Sequence, residues 1–253
     1  MTKEIQELES VGPNYPWGVD GSNGYHLGTA PVAPILQEVV FPKLGKLLSG
    51  SVVADFGCGD GRLERSAPPL AQRSYTFLGI DKEPEAVARF NSTLQLPDRA
   101  IVGNIERLVL GERKFQTVLS WRVLHCLPPE LVETAFRAIA NSLIPGGRAF
   151  VSVLSDEDWK RKALEQRGLY RPGEMNECAG VMEVPEVKTW PLRFFRENEL
   201  AQIGRRIGLT LVGAWRFQEL TGFDTLKETH PLQDYDLVEF RTEWKRKNSL
   251  LDT

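Results

Sequence analysis

Short apolar segments alternate with helical ones between residues 51 and 154, and this alternation most constrains the fold. Five apolar runs are typical of buried strands and lie at 51–56, 75–80, 100–102, 115–121 and 148–154. Helical patterns separate them, beginning near Gly61 and covering 83–94 and 129–143. Strands that alternate with helices predict a mostly parallel α/β sheet with helices on both faces.

The remaining chain divides into a leading segment and a late insertion. Helical spacing from Ile35 to Leu48, with a break or kink at Pro42, follows an irregular stretch rich in Gly, Pro and aromatics. We therefore predict a lid segment and helix over 1–49 and one α/β domain over 50–253. This domain ends with a helix at 197–207 and strands at 209–217 and 236–241, and Pro145-Gly146-Gly147 marks a turn.

An insertion interrupts the domain at about 156–194. It is polar, contains prolines, and carries five large apolar side chains, which are Trp159, Tyr170, Met175, Met182 and Trp190. These side chains are interpreted either as the roof of an acceptor pocket or as a small satellite core.

Composition narrows the function classes. The 253 residues are 42% hydrophobic with a net charge of −3, which argues for a globular core and against a dedicated nucleic-acid binder. No apolar run approaches the ~18 residues of a membrane-spanning helix. Cys58, Cys126 and Cys178 lack CxxC spacing, so neither a disulfide framework nor a zinc cluster is expected, and we predict a cytoplasmic protein.

The most informative motif follows the first strand and reads Asp55-Phe56-Gly57-Cys58-Gly59-Asp60-Gly61. A strand that ends in glycines and opens a helix brings backbone amides against a ligand, although a plain tight turn has the same composition. A nicotinamide dinucleotide site requires a third glycine at the position of Arg62. The arginine at this position therefore argues against a nicotinamide dinucleotide site.

The chain resembles class I, Rossmann-like S-adenosylmethionine-dependent methyltransferases. VVADFGCGDG is similar to that family's first motif, and the resemblance continues in order through LGIDKEP, VGNIERL, FQTVLSWRVLHCLPP and LIPGGRAFVSV, over roughly residues 50–154. FRENELAQIGRRIGLTLVGAW also looks like the family's last helix and strand. The resemblance implies a doubly wound sheet of seven strands, with the last antiparallel to the others.

S-adenosylmethionine is the cofactor that the resemblance implies. Asp81 ends the second strand, where a carboxylate accepts both ribose hydroxyls, although it also suits a helix N-cap. Asn104 and Gln116 stand where relatives usually carry aspartates. The predicted cofactor site consists of Asp55, Gly57, Cys58, Gly59, Asp81, Lys82, Asn104, Ile105 and Ser120.

Acceptor binding and catalysis are predicted at the end of the fourth strand and in the leading segment. His125 is the first candidate for a general base, with a packing role as the alternative, and His26 and His230 are further candidates. The predicted acceptor-binding residues are Tyr15, Trp17, Tyr25, Trp121 and Arg122. The three histidines lack metal-ligand spacing, so no metal is predicted.

The leading prediction is methyl transfer to an oxygen or nitrogen atom of a small molecule. A cofactor-binding protein of the same fold with non-methylating chemistry or an interaction role is the first alternative. An RNA or protein methyltransferase is the second, with the basic run Trp244-Lys245-Arg246-Lys247 as its only local support. The sequence leaves the acceptor, its nucleophilic atom and the oligomeric state open.

Overall fold

A seven-stranded sheet forms the centre of this computed structural model, which describes residues 34–94, 97–107, 114–178, 191–219 and 233–242. The strands of the sheet are β1 (Ser51–Phe56), β2 (Tyr75–Asp81), β3 (Arg99–Val102), β4 (Phe115–Trp121), β5 (Leu143–Leu154), β8 (Leu209–Glu219) and β9 (Gln233–Thr242). Their spatial order is β3-β2-β1-β4-β5-β9-β8. A separate two-stranded sheet pairs β6 (Asn176–Glu177) with β7 (Pro191–Leu192).

Strand direction confirms the predicted fold class. β1 pairs in parallel with β2 and β4, and β3 and β5 extend the parallel arrangement on either side. β9 runs antiparallel to both of its neighbours, β5 and β8. The sheet is therefore Rossmann-like, with its last strand antiparallel to the rest, as the resemblance implies.

Helices connect the strands and cover both faces. They are α1 (Phe41–Leu44), α2 (Arg62–Ser66), α3 (Pro84–Thr93), α4 (Pro129–Asn141), α5 (Trp159–Gln166) and α6 (Glu199–Arg206). In α4, Pro129 occupies the first turn, where its missing N–H is not needed, and Val132, Phe136 and Ile139 form one buried face. Both faces of the sheet are buried, as β1 shows. Val53 and Ala54 are neighbours in this strand, and each belongs to a different core cluster.

The predicted break at Pro42 takes the form of a change in helix type. A π-helical turn spans Leu36–Val40, and α1 continues through the proline. The Phe41 N–H donates to the Leu36 carbonyl oxygen, and Pro42 has no N–H with which to continue the α-helical hydrogen-bond pattern. The helical segment therefore stays continuous and packs Leu36, Val40 and Leu44 into the core.

The predicted turn at Pro145-Gly146-Gly147 lies inside β5. Leu143 pairs with Phe115 and Arg148 pairs with Thr117, so residues 144–147 loop out of the regular pairing. Gly146 has a φ of 76°, a backbone conformation that favours glycine. The turn is thus a bulge, and β5 begins five residues before the predicted start at Arg148.

The predicted lid (1–33) lies outside the described residues, whereas the insertion is described in part. The insertion contains α5 and the β6–β7 pair, and Met182 and Trp190 lie outside the described residues. The division into a segment at 1–49 and a domain at 50–253 stays a prediction. None of the helices in the described part of the chain is long and apolar enough to span a membrane.

Candidate cofactor and acceptor site

The carboxyl ends of β1 and β2 meet at the glycine-rich loop. Asp55 pairs with Gly79 across the two strands, and the Gly57 N–H donates to the Ile80 carbonyl oxygen at 2.7 Å. The Gly59 N–H donates to Asp81 Oδ2 at 2.8 Å. The loop is therefore tied to the acidic end of β2, so that two segments of the predicted cofactor site lie side by side.

Asp81 retains hydrogen-bonding capacity for a ligand. Its Oδ1 accepts the Glu83 N–H at 3.0 Å and its Oδ2 accepts the Gly59 N–H, so the carboxylate also fulfils the turn-capping alternative. Each carboxylate oxygen has two lone pairs, which leaves one on each oxygen for a diol. Burial raises the pKa of Asp81, and the Glu83 and Gly59 N–H groups and the Lys82 charge partly offset this rise.

The glycines of the loop have different surroundings. Gly57 has a φ of 83°, and a Cβ there would overlap the Val123 side chain. Gly59 has a φ of 55°, but no atom lies within 4 Å of the position of its missing Cβ. Gly57 is therefore required by packing, whereas Gly59 leaves open space beside an acidic residue. This combination fits a ligand with hydroxyl groups.

A buried pair of carboxyl groups lies behind the loop. Asp55 and Glu64 are 2% and 3% exposed, and Asp55 Oδ1 and both Glu64 oxygens have no hydrogen-bond partner outside this pair in the described part of the chain. Burial raises the pKa of Asp55 to about 7. Burial also raises the pKa of Glu64 well above 4.5, and the charge of Asp55 and its hydrogen bond with Glu64 add to this rise. We infer that Glu64 is protonated and donates its proton to Asp55.

Glu64→Gln is expected to raise stability at alkaline pH. A carboxyl whose pKa is higher in the folded state holds more protons when folded, so stability falls as pH rises between its unfolded and folded pKa values. For Asp55 this window extends from 3.8 to about 7, and for Glu64 it begins at 4.5 and extends well above it. Glutamine is neutral and donates permanently to Asp55, so we expect a gain of about 1–3 kcal/mol at pH 8.

Urea unfolding at pH 4.5 and pH 8 measures this effect. The gain should shrink at pH 4.5, where the unfolded glutamate is also largely protonated. Glu130→Gln, on the exposed surface of α4, is the matched control and should leave stability nearly unchanged at both pH values. A Glu64→Gln variant less stable than the parent at pH 8 would contradict the shared proton.

The other predicted cofactor residues lie around this loop. Asn104 precedes a 3-10 turn at Ile105–Arg107, and its Oδ1 accepts the Glu106 N–H at 3.3 Å. The Ile105 side chain is buried in the core, so only its backbone is available to a ligand. Burial raises the pKa of the Cys58 thiol well above 9, which keeps it protonated. The Lys82 ammonium lies 3.9 Å from Glu83 Oε1.

The predicted acceptor residues continue from the end of β4. Trp121 stacks on Phe217 with ring centroids 5.1 Å apart, and the Arg122 guanidinium lies 4.9 Å from the centre of the Tyr235 ring. Arg122 has a φ of 62°, an uncommon backbone conformation for a residue other than glycine. Its N–H donates to Ser152 Oγ at 2.9 Å, which holds this turn against β5. Ser120, which lies two residues before Arg122 and was predicted for the cofactor site, is fully buried.

His125 lies in a 3-10 turn after β4 and is 4% exposed. Its ring centroid is 5.9 Å from that of Tyr235. Burial, followed by the positive charges of Arg122 and Lys160, lowers the pKa of His125 well below 6.5. The imidazole is therefore neutral at physiological pH and a weak proton acceptor.

Several predicted residues lie outside the described part of the chain, namely Tyr15, Trp17, Tyr25, His26 and His230. Among the described residues, no group of three or more histidine, cysteine or acidic side chains is placed to hold a metal ion. The structure adds Glu64, Asp158 and Lys160, which sequence reasoning missed. Glu64 lies in the predicted helix directly after the glycine motif, and this position is the one signal that could have identified it. Asp158 and Lys160 lie in a run of charges that is typical of a solvated surface.

Family comparison places the glycine-rich loop within a known domain. Residues 53–147 match the family model described as a methyltransferase domain. This stretch of the chain is therefore similar to a methyltransferase domain, and the sheet has the fold of class I, Rossmann-like S-adenosylmethionine-dependent methyltransferases. S-adenosylmethionine is the cofactor of this class.

Individual relatives agree with this class. The chain is 29% identical over 161 residues to a ubiquinone biosynthesis O-methyltransferase of Aeromonas salmonicida, covering 60% of this chain and 61% of that protein. The chain thus spans less than two thirds of that relative. Its fold is similar to a S-adenosylmethionine-dependent methyltransferase from Methanosarcina mazei, with a TM-score of 0.63, 17% identity and coverage of 85% and 99%. It is also similar to a magnesium protoporphyrin IX methyltransferase from Synechocystis with bound S-adenosylhomocysteine, with a TM-score of 0.53, 16% identity and coverage of 83% and 78%.

Proposed function

We propose that the protein transfers a methyl group from S-adenosylmethionine to an oxygen or nitrogen atom of a small-molecule acceptor. The observation that carries the proposal is the hydrogen bond from the Gly59 N–H to the Asp81 carboxylate, because it joins the glycine loop to the acidic end of β2. The cofactor supplies a methyl group that is already activated by the sulfonium. The protein's main task is then to align the acceptor with that methyl group.

Each part of the site has one role in this proposal. The remaining lone pairs of Asp81 accept the ribose hydroxyls, and the open side of Gly59 admits the methionyl part. Asp55, with the proton shared with Glu64, supports the loop from behind. Trp121 and Arg122, at the end of β4, form the floor on which the acceptor lies.

His125 has a structural role in this proposal. Its burial, its low pKa and its place beside Tyr235 suit a packing group better than a general base. The Arg193 N–H also donates to the His125 carbonyl oxygen at 2.8 Å, which links this turn to the insertion. An acceptor that is already a good nucleophile requires no base.

His125→Asn is expected to lower turnover by less than about tenfold, because a general base contributes roughly 10²–10⁴-fold and a packing group does not. Thermal stability should fall with the lost ring contacts, and the loss of turnover should follow the folded fraction. The profile of turnover against pH should show no inflection in the histidine range in either protein. A well-folded variant with a loss above 10²-fold would restore the base role.

Two measurements test the proposed function. Calorimetry should detect binding of S-adenosylhomocysteine and no binding of NADH, in agreement with Arg62 at the position of a third dinucleotide-motif glycine. Incubation with a small-molecule extract and methyl-labelled cofactor, followed by mass spectrometry, should give a labelled product. Cofactor binding without any labelled product would favour the non-methylating alternative.

A further inference from the structure

Four buried side-chain nitrogen atoms without a hydrogen-bond partner belong to residues that lie at or just after the carboxyl ends of β4 and β5 in the chain. They are Trp121 Nε1, His125 Nδ1, Trp159 Nε1 and Lys160 Nζ, each without a partner among the described residues. Trp121 and Trp159 pack against the same core cluster, and the charge of Lys160 acts on His125. Tryptophan and lysine nitrogens only donate hydrogen bonds, so three of these four atoms require an acceptor that the described residues do not supply.

Lys160 is the most unusual member, because its side chain is 1% exposed. The nearest carboxylate oxygen, Asp158 Oδ1, lies 3.6 Å from its ammonium, beyond hydrogen-bond distance. Both Asp158 oxygens already accept backbone N–H groups, Oδ1 from Lys160 at 2.9 Å and Oδ2 from Asp234 at 3.0 Å. The ammonium thus has an opposite charge beside it and the Trp159 ring 5.7 Å from it, but none of its N–H groups makes a hydrogen bond of ordinary length to a described residue.

Other groups around Lys160 do not replace that partner. Burial raises the pKa of the Cys178 thiol to about 12, so the thiol is neutral. Arg122 adds a second positive charge that acts on Lys160. A buried ammonium is unfavourable unless it is both paired and hydrogen-bonded, and Asp158 supplies only the pairing. An anionic oxygen of a ligand would satisfy both requirements.

We propose that Lys160 binds an oxyanion carried by the methyl acceptor, either a carboxylate or a phosphate ester. This inference rests on the proposed function and names the acceptor class for the same site. Trp121 and Arg122, predicted to bind the acceptor, lie at the end of β4 in the same region. The Trp121 Nε1–H and Trp159 Nε1–H are further donors for that oxyanion. Because the ammonium is covered, the residues over it move when the acceptor enters.

Separation of the acceptor pool by charge tests this inference. A small-molecule extract is divided on an anion-exchange column at pH 7, and each fraction is incubated with enzyme and methyl-labelled cofactor. We expect label incorporation from the retained, anionic fraction. Prior treatment of that fraction with alkaline phosphatase distinguishes the two sources, since it removes a phosphate-ester acceptor and leaves a carboxylate acceptor intact.

Lys160→Met tests the residue itself. We expect the KM for the active fraction to rise about 10- to 150-fold, the effect of losing a charged hydrogen bond, with unchanged affinity for S-adenosylhomocysteine. Lys160→Arg should recover part of the loss. Lys162→Met is the matched control, because this exposed lysine on the same helix pairs with Glu157 at 3.1 Å. Melting temperatures establish that each variant is folded.

The outcomes separate the two proposals. Label from the unretained fraction, or an unchanged KM in folded Lys160→Met, overturns the oxyanion site while methyl transfer stands. An equal KM change in Lys162→Met also overturns it, because the effect would then be general charge. Absence of label from every fraction overturns the proposed function and the oxyanion site together.

Discussion

Asp81→Ala is expected to weaken S-adenosylhomocysteine binding by about 10- to 150-fold, measured by calorimetry. The change removes the carboxylate that we propose accepts the ribose hydroxyls, and charge-assisted hydrogen bonds contribute roughly 1.5–3 kcal/mol. It also leaves the Gly59 and Glu83 N–H groups without their acceptor, so the loop loses its tie to β2. Both consequences lower the affinity for S-adenosylhomocysteine.

Controls separate a specific loss from a change in charge or folding. Glu85→Ala removes one negative charge from the exposed surface of α3 and should leave the affinity unchanged. Asp81→Asn retains one acceptor oxygen, so its affinity for S-adenosylhomocysteine should fall less than that of the alanine variant. Unchanged affinity in a folded Asp81→Ala protein would remove Asp81 from the cofactor site and leave it a turn-capping residue.

Alanine at the two glycines of the loop should affect different properties, ligand affinity at Gly59 and folding stability at Gly57. At Gly59 the φ of 55° adds about 1–2 kcal/mol of strain but no atom meets the new Cβ, so we expect a folded protein. It should bind S-adenosylhomocysteine at least about 10-fold more weakly, because the methyl group occupies the ligand's side. At Gly57 the new Cβ overlaps Val123, and the φ of 83° adds strain. We expect Gly57→Ala to lose about 2–4 kcal/mol of unfolding free energy.

Calorimetry and urea unfolding on both variants test this contrast. Val123→Ala, introduced with Gly57→Ala, should recover part of the stability, because it removes the methyl groups that the new Cβ meets. Gly59→Ala with full affinity would show that no ligand passes over this side of the loop. A fully stable Gly57→Ala protein would show that the loop shifts without cost.

The central strands could be predicted from sequence because they are buried over most of their length. Residues 53–56 of β1 and 117–120 of β4 are buried without interruption, since helices cover both faces, and glycine or proline bounds many of the elements. Predictions that depend on exact pairing were less accurate. The sequence predicts a turn at Pro145-Gly146-Gly147, but tertiary pairing of Leu143 with Phe115 draws these residues into β5.

The candidate site was predictable where backbone geometry imposes a residue type. Gly57 and Asp81 lie at strand ends, where a turn or a loop contact requires glycine or an acceptor. Glu64 and Lys160 were missed because charged side chains on short helices normally face water. Both are buried beside a carboxylate, Glu64 beside Asp55 and Lys160 beside Asp158, and no local pattern in the sequence records that burial.

The position of β9 has a consequence for the order in which the chain assembles during synthesis. β9 lies between β5 and β8, although it is made after both, and β8 pairs only with β9 among the described strands. A nascent chain that has emerged as far as β8 therefore has no sheet partner for that strand. β1 to β5 can complete their parallel pairing on the ribosome, whereas β8 and β9 can join the sheet only after the residues of β9 have left the exit tunnel.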